Sequence, residues 1–203
     1  MTLLLADNDV LIKAAHWKLL DYLPECTGIG WDETSVLESL RHRARNKDAK
    51  LFRDPMVAKV LSGYLDRTAP LPLPAPSVVA RLEGIEGIEA GESILIASAC
   101  AHGKATLVTG DKRALRTLAQ PLLAEIHIQL QGRVVCLEHL LWCALDHVGA
   151  DQLAEAVASF PGLDTVAECV IPPPGRAKEA EIRFGLKSYL QALECETRGL
   201  IRV

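Results

Sequence analysis

Two short segments constrain this chain more than any others. Leu3 to Ala6 is apolar at every position, and Ala105 to Thr109 reads as a second buried strand. A strand apolar on both alternating faces needs cover on both, and that is the habit of parallel sheets flanked by helices. Both runs stop at acids, Asp7 and Asp9 after the first, and Asp111, one glycine on, after the second. In a parallel sheet the carboxyl ends of the strands share one edge with the amino ends of the helices that follow them. Carboxylates placed there converge.

The rest of the chain alternates in the same manner. Val10 to Leu20 reads as a helix and Ile29 to Trp31 as a short second strand. Ser35 to Arg45 is helical, with Val36, Leu37 and Leu40 inward, and Met56 to Leu65 is an amphipathic helix entered through Pro55. The proline-rich run Ala69 to Pro76 admits neither a helix interior nor a central strand, so it is a stiff extended connection. Gly91 to His102 is a nearly all-apolar helix closed by Gly103, and Lys112 to Leu118 is another helix. Leu122 to Leu130 fits either period. Arg133 to Leu137 is the last strand, and helices follow over Glu138 to His147, Asp151 to Phe160 and, after the Pro172 to Gly175 break, Ala177 to Glu196. The expected fold is α/β, a three-layer α/β/α arrangement about a central parallel sheet. Residues 1–140 form the core unit, and residues 141–203 form a mostly helical extension packed on it.

Composition narrows the function. With 22 Lys and Arg against 26 Asp and Glu, the net charge of -4 excludes a polycationic nucleic-acid coat but not a local basic patch. An aromatic share of 4% argues against a broad base-stacking platform. The six cysteines form no C-x-x-C pair and sit in apolar stretches, as free thiols do. The amino-terminal run has no basic region before its apolar part, and no apolar stretch spans a bilayer, so the expected setting is the reducing cytoplasm, away from membranes.

Four acids stand at suggestive positions: Asp7, Glu38 in TSVLESL, Glu92 in AGESILIASA, and Asp111 in TLVTGDKRAL. Each has a purely structural explanation. Ser35 and Glu38 have capping-box spacing, Glu92 suits a helix amino terminus, and Asp9 and Asp111 are good caps. Gathered on one sheet edge, four carboxylates repel strongly and call for a cation. Hard oxygen donors without His or Cys point to Mg²⁺ or Mn²⁺.

These four segments, in this order, resemble the signature segments of the PIN-domain ribonucleases. The resemblance covers about residues 3–140 and is most specific at Thr109 to Asp111; the Pro-rich stretch aligns poorly, and Asp9 stands where the family more often has Asn or Ser. It implies a divalent-metal-dependent ribonuclease with Asp7, Glu38, Glu92 and Asp111 as catalytic acids. Asp7, Glu92 and Asp111 would hold the metal, with Asp9 and Thr109 in support. It also implies an RNA substrate, met by Lys112, Arg113, Arg41 and Arg45, and admits a toxin with an antitoxin partner, or a homodimer. Two other readings stand beside it. The D-x-D-V of Asp7 to Val10 resembles the nucleophile loop of haloacid-dehalogenase-like phosphatases, although that family's later metal segment expects an acid where Leu115 stands. A PIN fold kept as a non-catalytic RNA- or protein-binding module is the third.

Overall fold

A computed structural model describes residues 2–202. The first strand, β1 (Leu3–Ala6), is wholly buried and runs at once into α1 (Asn8–His16). A short helix, α2 (Tyr22–Thr27), and one 3-10 turn lead to β2 (Thr34–Val36). Then come α3 (Glu38–Arg45), α4 (Pro55–Leu65), α5 (Pro76–Leu82) and α6 (Ala90–Ala101). The strand β3 (Ala105–Thr109) is followed by α7 (Lys112–Leu118) and α8 (Ala124–Leu130), and β4 (Val134–Cys136) by α9 (Leu137–Ala158). The chain closes with α10 (Thr165–Val170) and α11 (Glu179–Thr197).

The four strands form one sheet in the order β2-β1-β3-β4, and every pairing is parallel. Leu5 lies opposite Ser35 on one side and Leu107 on the other. From β1 the chain steps outward to β2, then crosses back to place β3 on the opposite flank of β1. The direction of winding therefore reverses between β1 and β3, and such a reversal opens a crevice beyond the strand ends. Helices cover both faces. Leu4 and Ala6 point into one core with α1, α4 and α9, while Leu3 and Leu5 point into another with α6, α7 and α8.

The expected second strand is displaced. Ile29 to Trp31 is not a strand; Trp31 opens the 3-10 turn, and pairing begins at Thr34. β2 is half polar in sequence because its hydroxyls find carbonyls inside the fold. Thr34 donates to Gly30 O (2.8 Å) and Ser35 to Pro70 O (3.0 Å). Ser35 is consequently in β2 and not in a helix, so the capping box expected between Ser35 and Glu38 does not form. The first helix also begins earlier and ends earlier than its apolar run suggested, at Asn8 and His16. The ambiguous Leu122 to Leu130 segment contains α8, and the two helices expected after β4 are joined as α9, kinked at Gly149, where φ is 77°. The Ala69 to Ala75 stretch is extended, and Ala69 bridges to Ser35 along the outer edge of β2.

The expected junction at residue 140 falls inside α9. Beyond it, Leu153, Val157, Ile182 and Leu186 enter the core that holds Leu4 and Val10. Leu190, Leu193, Leu200 and Ile201 enter the other. Ile201 also bridges in parallel to Val134, covering the edge of β4. Arg53 ties the two halves again by donating to the carbonyls of Pro161 and Gly162. Among the described residues no helix is long and apolar enough to cross a membrane.

With both cores drawing on the last 60 or so residues, a chain ending at residue 140 should lose cooperative thermal unfolding. Leu186→Ala should cost about 2–5 kcal/mol in chemical denaturation, as a fully buried leucine does. A sharp cooperative melt of residues 1–140 alone would show that the second half is a separable appendage.

Candidate active site

All four acids sit where a helix begins, and three of them do so for reasons local to the backbone. The first amide groups of a helix lack partners, and a carboxylate there satisfies them and complements the helix dipole. Asp7 follows β1 and turns Oδ1 to the N–H of Asn8 (2.7 Å). Asp111 follows β3 and accepts from the N–H groups of Arg113 (2.7 Å) and Ala114 (3.0 Å) at the start of α7. Glu92, in the first turn of α6, accepts from the N–H of Glu89 (2.8 Å). A capping box forms instead at α6, between Glu89 and Glu92. Each cap engages one carboxylate oxygen and leaves the other outside it.

These three helices deliver their carboxylates to the crevice between β1 and β3, in a cleft of about 540 Å³ that Asp7, Asp9, Glu89, Glu92 and Asp111 all line. Beneath Asp7 and Glu92 lies a small void of about 10 Å³ walled mainly by Leu95, Ile96, Leu107, Leu115 and Leu118. That apolar floor governs the electrostatics. Asp7 is only 9% exposed, and burial pushes its carboxyl up to about 6, against the Asn8 N–H and with help from the charges of Asp9, Asp111 and Glu89. Burial likewise pushes Glu92 up to about 7, against the N–H of Glu89 and reinforced by the charges of Asp111 and Asp7. Asp111 goes the other way. Burial opposes its charge, but the N–H groups of Ala114 and Arg113 and the Arg113 guanidinium hold it below the usual carboxylate range. A raised and a lowered carboxyl side by side are the pattern of groups whose environments have separated their roles.

Supporting groups are placed with equal economy. Thr109 is buried, and its hydroxyl accepts from the N–H of Asp111 (3.1 Å), which fixes the turn after β3. Asp9 is half exposed and pairs with Lys13 (2.6 Å). Its Oδ2 lies 2.5 Å from where a Cβ at Gly110 would stand, so a side chain there would require Asp9 to shift.

The structure leaves Glu38 outside this group. It is exposed at the start of α3, paired with Arg41 (3.3 Å), and is absent from the cleft wall. Glu89 brings a further carboxylate to the cleft instead. Of the expected cations, Lys112 and Arg113 line the cleft, and Arg41 and Arg45 do not. Arg41 is partly buried and donates to Leu65 O, Thr68 O and Oγ1, and Ala69 O, stapling α3 to the end of α4. Arg45 pairs with Asp66 on the surface (3.4 Å). Lys112 pairs with the buried Glu138 (2.9 Å), and Arg113, largely exposed, pairs with Asp111 (3.3 Å). Lys13, which the sequence did not single out, and Arg43, one of the cations clustered at the end of the Glu38 helix, both line the cleft.

The donor set is all hard oxygen, suited to a divalent cation of the Mg²⁺ or Mn²⁺ type. Asn8, also in the cleft wall, keeps its Oδ1 buried without a hydrogen-bond partner. Among the described residues, no three His, Cys, Asp or Glu side chains stand in position to hold a metal ion. A cation would have to draw the second oxygens of Asp7, Glu92 and Asp111 inward. No family model, no curated protein and no solved structure matches this chain.

The raised carboxyls have a cost in stability with a definite sign. A folded-state value above the unfolded one stabilises the fold at low pH, and that stability is lost as pH rises through the folded value. For Asp7, a carboxyl at about 6 instead of 3.8 is disfavoured as an anion by about 3 kcal/mol. Asp7→Asn, which keeps the cap, should therefore be more stable than wild type by about 1–3 kcal/mol at pH 8 in chelator. The difference should shrink towards zero near pH 4. Equal or lower stability of the variant at pH 8, measured by denaturant unfolding, would contradict the assignment.

Proposed function

We propose that this protein is a divalent-metal-dependent nuclease of PIN-like type that hydrolyses phosphodiester bonds in RNA. One observation carries the reading: Asp7, Glu92 and Asp111 come from three separate strand–helix or loop–helix junctions to the crevice between β1 and β3. The site shifts two of them, Asp7 and Glu92, towards the neutral form. The four segments that resemble PIN ribonucleases include all three junctions, which supports the same reading.

In this account Asp7, Glu92 and Asp111 would hold the cation, which would acidify a water and offset charge on the phosphate. Asp7 is the least exposed of the three. Glu92, whose carboxyl is raised to about 7, would have to be ionised to serve as a ligand. Thr109 keeps Asp111 in register through its N–H, as outer groups around metal sites do. Asp9 stands at the cleft edge as an auxiliary acid. Glu38 plays no direct part, since Glu89 occupies the cleft and Glu38 does not. The phosphatase alternative needs Asp7 as a free nucleophile and gives Glu92 no task; the non-catalytic alternative gives the repelling carboxylates none.

Cleavage of a mixed RNA substrate should require Mn²⁺ or Mg²⁺ and be abolished by EDTA. Asp7→Asn and Glu92→Gln should each lower the rate by about 100-fold or more, within the range seen when a metal or a key charge-stabilising group is lost. Glu38→Gln should change it by less than about threefold, the behaviour of an exposed surface pair. Retained cleavage in Asp7→Asn would exclude the reading, and an aspartyl-phosphate trapped from a phosphomonoester would replace it with the phosphatase one.

A further inference from the structure

The cleft gathers negative charge where a phosphodiester would have to enter, and two of the cations in its wall are built differently from the others. Lys13 and Lys112 both line it, yet their side chains are only 14% and 13% exposed. Each ammonium is gripped from behind by an acid that is not part of the cleft wall. Lys13 Nζ lies 2.8 Å from Asp164 Oδ2, as well as 2.6 Å from Asp9. Asp164 is itself fixed, because its Oδ1 accepts the N–H of Ala167 (2.9 Å) at the start of α10. Lys112 Nζ lies 2.9 Å from Glu138 Oε2, and Glu138, in the first turn of α9, is 1% exposed.

Buried ion pairs are a poor way to stabilise a fold. The desolvation of both charges commonly outweighs their attraction, and apolar residues of similar volume do as well or better. In both pairs the cation lies in the cleft wall and one anion lies outside it, while Lys13 also meets Asp9 within the wall. An ammonium carries three donors, so one carboxylate on Lys112 and two on Lys13 leave at least one donor on each. We propose that Lys13 and Lys112 seat the phosphate groups of the substrate, with Asp164 and Glu138 as positioning residues that hold the two ammonium groups at the cleft. This rests on the nuclease reading and extends it. The segment after residue 140, through Asp164, then helps to build the site as well as the core.

Charge-neutral double variants separate this role from a structural one. Lys112→Met/Glu138→Leu removes one pair without stranding a buried charge, and Lys13→Met/Asp164→Asn removes the other while keeping the α10 cap. The probe is a short single-stranded RNA with a fluorescent end label, assayed with Mn²⁺ across a series of salt concentrations. Each double variant should melt at or above the wild-type temperature and raise KM by about 10-fold with kcat changed little. Each should also flatten the salt dependence of binding by about one phosphate contact. Lys112→Arg should stay within about threefold of wild type in KM, since it preserves the charge. Folded double variants with wild-type KM and salt dependence would overturn this inference and leave the nuclease reading standing. A wild-type protein that neither binds nor cleaves the RNA with Mn²⁺ would overturn both.

Discussion

Asp7 is placed by the backbone before any chemistry is considered. The central strand ends at Ala6, α1 starts at Asn8, and the residue between them must cap the helix while sitting at the floor of the crevice. The same is true of Asp111 between β3 and α7. Because β1 and β3 are neighbours, the two caps cannot avoid each other. Glu92 arrives from the start of α6 with a third carboxylate over the same apolar floor. Burial over that floor, reinforced by like charges, makes the rest of the cleft intelligible, from the raised values of Asp7 and Glu92 to the lysines around them.

The cores on the two faces of the sheet exist in part to hold that arrangement. Leu107 and Leu115 belong to the core on one face and also wall the void beneath the acids. The packing that stabilises the sheet is thus the packing that desolvates the site. Removing an acid should relieve the fold while disabling the cleft, the exchange of stability for activity common at functional sites.

Much of this was legible in the sequence, for identifiable reasons. β1, β3 and β4 are unbroken buried runs with sharp ends, and α6, α7 and α11 carry clear apolar faces and punctuation. β2 was not legible because Thr34 and Ser35 satisfy their hydroxyls through Gly30 and Pro70, partners that exist only in the folded chain. Asp7, Glu92 and Asp111 could be found because they stand at element boundaries. Glu38 stands at the same kind of boundary, but it is exposed, paired with Arg41 and absent from the cleft wall, although Leu37 and Arg43 line that wall. Glu89 carried a signal, its three-residue spacing from Glu92, that suits a capping box. The anchors of Lys13 and Lys112 carried none: Lys13 and Asp164 are 151 residues apart.

The most direct test is the titration of the Glu92 carboxyl itself, followed by carbon-13 NMR in chelator and again with saturating Mg²⁺. The account predicts a midpoint near 7 without the cation, as burial and its neighbours impose, and a fall of about two units or more once the cation displaces the proton. A midpoint near the ordinary 4.5, unmoved by Mg²⁺, would show that these carboxylates are caps that happen to be neighbours, and not a cation site.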